Sequence, residues 1–146
     1  RDVFGFKDCI NYKTEDIDQR IKELCPNGID IYFDNVGGDT LDIMTRNLAY
    51  EARIVLCGFM TQYNLSTPPP GPNLGPIVGA RAIIRGVVVY DHYDKQDEFI
   101  SKAGKWIQDG KVKFIEDEVI GIENTPAQFC KLMRGENFGK TIVTMQ

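Results

Sequence analysis

Histidine, tryptophan and positive charge are all scarce in this 146-residue chain. His92 is the sole histidine and there is one tryptophan. A single histidine leaves no multi-histidine metal site within the chain, and His92 reads as a surface turn residue. Lysine and arginine number 17 against 21 acids, a net charge of −4. That balance is the opposite of a nucleic-acid-binding footprint. No apolar run approaches the ~20 residues that a membrane helix needs, and the first residues carry no signal-peptide pattern. Cys9, Cys25, Cys57 and Cys130 are widely separated and form no C-x-x-C pair. Scattered cysteines in an acidic chain point to reduced thiols and a cytoplasmic protein over a disulfide scaffold. A G-x-G-x-x-G turn is also missing. Either the fold binds something other than a dinucleotide, or a first βαβ unit precedes Arg1.

What is present is a globular composition, 42% hydrophobic and 26% charged, with strand and helix patterns in alternation. "DCINY" (8–12) is a short β-prone run. "TEDIDQRIKELCPNG" (14–28) places Ile17, Ile21, Leu24 and Cys25 on one helical face, with Thr14 as N-cap and Pro26-Asn27-Gly28 as the stop. "IDIYFDNVG" (29–37) predicts a strand and "DTLDIMTRNL" (39–48) a helix. "ARIVLCGFM" (52–60) reads as a strand buried on both faces, and "AIIRGVVVYD" (82–91) as another strand. "KQDEFISKAGKWIQDG" (95–110) predicts a helix with Phe99, Ala103, Trp106 and Ile107 inward. After it come strand character at 111–122, a helix at 125–135 with a Thr125/Gln128 capping box, and a last strand at 139–146. Such alternation predicts an α/β fold with a parallel sheet, and a boundary near residue 111.

Five of the seven prolines lie in "NLSTPPPGPNLGP" (64–76). The segment is either a stiff surface connector or a wall beside a pocket.

Ligands of open parallel sheets bind outside the carboxyl ends of the strands. "FDNVGG" (33–38) ends a strand with residues that are costly inside regular structure. It is either a tight βα turn with Asp34 or Asn35 capping the next helix, or a ligand site. Cys57 reads as a small buried hydrophobe, and the acids at 116–118 as a solvated face.

The motifs "GFKDCINYKTED", "DIYFDNVGGDTLD", "ARIVLCGFMTQYN", "PPPGP", "GKVKF", "NTPAQF" and "GENFGKTIV" resemble, in order, the second half of the zinc-independent medium-chain dehydrogenases/reductases. The branch they are most similar to is the prostaglandin and leukotriene B4 reductases, NADPH-dependent alkenal and enone reductases. The resemblance implies a C-terminal part of a longer enzyme. Residues 1–110 would be the later part of an NADP-binding Rossmann domain that lacks its first βαβ unit. Residues 111–146 would return to a GroES-like catalytic domain. It further implies NADP(H) as cofactor, a small enone or enal as substrate, no metal, and a homodimer in the full-length enzyme, with the isolated fragment inactive. Carried over by position, Tyr12 matches a tyrosine near the adenosine 2′-phosphate, and Asn35 an NADP-contacting asparagine. Cys57, Gly58, Phe59, Met60 and Tyr63 match a stretch lining the nicotinamide side. Val87, Val88 and Val89 match a strand contacting the nicotinamide region, where the family often has Phe at the first position. Asn137 matches a cofactor contact from the returning segment, and Tyr63 a donor to the substrate carbonyl. The competing reading is a small nucleotide- or nucleoside-binding α/β module, flavodoxin-like or methyltransferase-like, without redox activity. In a doubly wound order the run at 8–12 would be the third strand, without its neighbour. It is therefore expected to shift into the vacancy beside the 29–36 strand, or the chain to pair edge to edge with a second copy.

Overall fold

The computed structural model describes residues 3–145. The chain forms two compact units, residues 8–94, and residues 95–145 together with the stretch up to Lys7. The divide between these units falls before the helix predicted at 95–110.

The first unit contains α1 (Ile17–Leu24), β1 (Ile29–Asp34), α2 (Gly38–Arg46), β2 (Leu48–Leu56), α3 (Gly75–Ala80) and β3 (Ile83–Gly86). The three strands are parallel in the order β1-β2-β3, the fourth-fifth-sixth order expected of the later half of a doubly wound sheet. The core is built from Ile21, Ile29, Leu41, Ala52 and Ile54. Along β2, Ala52 and Ile54 are buried while Arg53 between them is exposed. This strand is therefore covered on one face, not on both as its apolar run suggested. On β1 the same alternation turns Asp34 inward and leaves Ile31 and Phe33 exposed.

Other expectations change. Residues 8–12 form no strand. Their amides bond locally instead, Cys9 N to the Asp8 carboxylate at 2.7 Å and Asn11 N to Glu15 Oε2 at 2.6 Å. β propensity without a partner ladder does not hold a strand, and the run does not occupy the outer edge of β1, which among the described residues pairs only with β2. Helix α1 is capped by Asp16, whose Oδ1 accepts from Gln19 N at 3.0 Å, and not by Thr14. The Thr14 and Glu15 amides are already used in a turn on the Asn11 carbonyl, so the first free cap is Asp16. β2 starts earlier than predicted and ends at Leu56; β3 ends at Gly86, before the valines.

The second unit contains α4 (Gln96–Gln108), β4 (Glu116–Ile120), α5 (Thr125–Met133) and β5 (Lys140–Thr144). β4 and β5 pair in parallel around α5. The face of α4 predicted inward is open, with Phe99 66% exposed and Trp106 and Ile107 also exposed. An amphipathic stripe is an offer of burial, and among the described residues nothing closes over this one. No capping box forms at α5. Asn124 is its N-cap, and Gln128 turns into the unit to donate to the Asp117 carbonyl at 3.0 Å.

Candidate active site at the carboxyl edge of the sheet

The strand register creates the site. Asp34 pairs with Leu56, and Leu56 with Gly86, so three strands end level and the residues after them emerge side by side. Val87 N closes this edge by donating to the Leu56 carbonyl at 2.9 Å.

The turn after β1 is organised by Asp34, which is 1% exposed. Its Oδ1 accepts from the Tyr32 hydroxyl at 2.8 Å, from Val36 N at 2.8 Å and from Gly37 N at 3.1 Å; Oδ2 lies 3.2 Å from the same Gly37 nitrogen. Burial, and then the hydrogen bond to this carboxylate, push the Tyr32 hydroxyl well above the usual phenol range, so it remains a donor. Gly37 is the N-cap of α2 at φ 72°, ψ −153°, a region open essentially to glycine. A Cβ there would meet the Phe59 ring at 2.5 Å. Gly37 is thus required by the turn itself.

The second loop is stitched to the first. Cys57 N and Gly58 N donate to the Asp34 carbonyl at 2.8 and 3.3 Å, Met60 N to the Asn35 carbonyl at 3.1 Å, and Thr61 N to the Val36 carbonyl at 3.1 Å. The Thr61 hydroxyl adds a bond to Val36 O at 2.8 Å. A short 3₁₀ turn, Met60–Gln62, then delivers Tyr63. A Cβ built on Gly58 would come 3.2 Å from the Tyr63 hydroxyl and 3.9 Å from Asn35 Oδ1. The predicted cofactor residue and the predicted donor therefore stand together beside a bare glycine, with Tyr63 66% exposed.

The remaining predicted residues are less concentrated. Cys57 is exposed, not a buried hydrophobe; it lies one residue past the strand, where the backbone turns to reach Asp34. Met60 is exposed and Phe59 packs against Gly37. Val87, Val88 and Val89 leave β3 and lead into a 3₁₀ stretch, Val89–Lys95, kinked at His92; they are loop and turn residues, not strand residues. Tyr12 is exposed in the segment before α1, with the Lys13 ammonium 6.0 Å from its ring. Asn137 belongs to the second unit, where its Nδ2 donates to Gly139 O at 2.9 Å. That loop is also anchored by an aspartate. Asp117 accepts from Lys131 Nζ at 2.8 and 3.0 Å, Gln128 Nε2 at 3.2 Å and Phe138 N at 2.9 Å. The Lys131 ammonium and then the Phe138 amide hold this carboxyl below the usual carboxylate range. Asp117 is thus no part of a solvated face.

Sequence reasoning missed Tyr32 and Asp117 as organisers, and it offered Asp34 only as a possible cap of the next helix, whose N-cap is Gly37; the Asp34 carboxylate instead holds the turn ahead of it. For Asp34 a signal existed: an acid closing an apolar strand before Asn-Val-Gly-Gly has only amides ahead of it. The proline-rich segment does wall a cavity, of about 580 Å³, through Pro69, Pro70 and Pro72 opposite Leu41 and Ile77. Of the predicted cofactor residues only Phe59 lines it, so this groove and the Asn35–Tyr63 cluster are different places. Among the described residues no group of three or more His, Cys, Asp or Glu is placed to hold a metal ion.

A family model described as "Zinc-binding dehydrogenase" matches residues 2–108. The chain belongs to this family. Within the family it is similar to the 2-alkenal reductase (NADP(+)-dependent) of Nicotiana tabacum, 38% identical over 96% of this chain and 41% of the relative. Prostaglandin reductase 1 of Bos taurus is 37% identical over 95% and 43%. The crystal structure of CurA in complex with NADPH from Vibrio vulnificus superposes with a TM-score of 0.85, at 37% identity, over 97% of this chain and 44% of that one. The likeness is thus to alkenal and prostaglandin reductases among the medium-chain dehydrogenases/reductases. The chain spans less than half the length of the relatives it matches.

Proposed function

We propose that the chain is the C-terminal part of an NADPH-dependent reductase that saturates the carbon–carbon double bond of α,β-unsaturated ketones and aldehydes, without zinc. The observation that carries this reading is the convergence of Asn35 and Tyr63 beside Gly58, where three parallel strands end. The reductase relatives supply the chemistry by likeness.

The residues present fit a dinucleotide at this edge. Asn35 presents both a donor and an acceptor on a short side chain, and Gly58 leaves bare backbone beside it, where a Cβ would crowd the Tyr63 hydroxyl. NADPH, when bound, supplies the hydride that the reduction needs. Asn35, the loop Cys57 to Met60, Tyr63 and the valines at 87–89 would hold its nicotinamide side, and Tyr12 its adenosine phosphate end. Reduction at the β-carbon builds negative charge on the carbonyl oxygen of the substrate. The Tyr63 hydroxyl donates a hydrogen bond to that oxygen. A donor aimed at charge that develops only in the transition state lowers the barrier by about 2.7–4 kcal/mol.

In the division proposed, residues 1–110 serve the NADP-binding domain and residues 111–146 the catalytic domain. The full-length enzyme is a cytoplasmic homodimer, and the 146-residue chain alone does not turn over. The test is NADPH oxidation by the full-length enzyme with a simple enone. Tyr63→Phe should lower kcat by about 10²-fold, the loss typical of one such donor, with a small change in the Kd for NADPH. An unchanged kcat removes Tyr63 from this role.

A further inference from the structure

We propose that Asp34 is the positioning residue of this site, holding Asn35 and Tyr63 together over Gly58 by tying the turn after β1 to the turn after β2. The inference rests on the enone-reductase reading of the site. Asp34 itself ends β1 with its carboxylate turned into the unit, so its effect on chemistry runs through the backbone it holds.

The connections form one path. The carboxylate takes the Val36 and Gly37 amides, which sets the direction of the Asn35 and Val36 carbonyls. Those two carbonyls receive Met60 N, Thr61 N and the Thr61 hydroxyl. The main-chain carbonyl of Asp34 receives Cys57 N and Gly58 N. The cross-loop bonds from 57–61 therefore end on residues 34–36. Tyr63 follows at once, its own amide donating to the Met60 carbonyl at 3.2 Å. Tyr32 donates to Asp34 from two residues back along the same strand face, bracing the carboxylate from the core side. Small displacements of a positioned group are costly to catalysis, so a residue that sets two loops at once acts on rate without touching substrate.

Asp34→Asn keeps the oxygen that accepts from Tyr32, Val36 and, at 3.1 Å, Gly37, but replaces Oδ2, 3.2 Å from the same Gly37 nitrogen, by an NH₂ that sets donor against donor. If Asp34 acts through Tyr63, the two substitutions are non-additive. In the full-length enzyme, Tyr63→Phe should lower kcat by about 10²-fold beside Asp34, and by less than about three-fold in the Asp34→Asn background. The same factor in both backgrounds overturns the proposal. If Asp34→Asn fails to fold, Tyr32→Phe, which removes one brace and leaves the turn amides paired, takes its place with a smaller coupling of the same sign. A wild-type enzyme that reduces no enone removes the functional reading instead. Amide exchange then decides the positioning: faster exchange at Met60 and Thr61 in Asp34→Asn supports it, and unchanged protection overturns it.

Discussion

Two turns in this chain carry a candidate cofactor asparagine, and each is held by an aspartate, in opposite surroundings. In the 8–94 unit, Asp34 is 1% exposed and is satisfied by a phenol and two backbone amides. In the second unit the Asp117 side chain is 14% exposed and leans on the Lys131 ammonium beside one amide and Gln128. The units differ in the same sense. The first buries Ile21, Ile29, Leu41, Ala52 and Ile54, whereas Gln128 is the buried residue of the second among those described. A buried carboxylate with neutral donors ties its turn to the folding of its unit. A partly exposed ion pair ties its loop to charge, and hence to pH and salt.

The largest effect should follow removal of the buried anchor. Asp34→Ala strands the Val36 and Gly37 amides and the Tyr32 hydroxyl, and should cost about 3 kcal/mol of unfolding free energy, measured by urea denaturation of the full-length protein. Asp117→Ala should cost clearly less in the same measurement. Equal losses would break the contrast. Next in size is Gly37→Ala, which meets both a positive φ and the Phe59 ring and should cost about 1–3 kcal/mol. The smallest effect should come from acid. Asp117 has a lowered carboxyl pKa in the fold, so its contribution is present above the ordinary value near 3.9 and fades as the pH falls through the lowered one. The protection of the Phe138 amide, its exchange relative to the intrinsic rate at each pH, should therefore fall on acidification below about pH 4, and Lys131→Met should move that onset to higher pH.

How far the fold was legible follows the same divide. Strand order and the βα alternation were readable, since periodicity and punctuation are local and the sheet agrees with them. Burial was not. The β2 run and the α4 stripe announce apolar faces, but a sequence does not say what covers a face, and Arg53 and Phe99 show these two uncovered on one side. The 8–12 run failed for a related reason, because a strand exists only with a neighbour. At the site, Asn35 and Tyr63 came from resemblance, and their meeting at Gly58 depends on the level ends of β1 and β2. That register is a tertiary fact: it shifts between Ile29 and Ile31, opposite the stretch of β2 from Leu48 to Arg53 in which Glu51 takes φ 58°. The place of Asp34 in a turn was legible, but its role as anchor was not, because its partners are mostly backbone amides, which every sequence has.

The most direct measurement is the structure of the full-length enzyme with NADPH bound. The nicotinamide end of the cofactor should lie beside Asn35, Gly58 and Tyr63, with the Asp34 bonds to Val36 and Gly37 intact. A cofactor seated instead in the proline-walled groove between Pro70 and Leu41, with Tyr63 and Asn35 facing water, would contradict this placement.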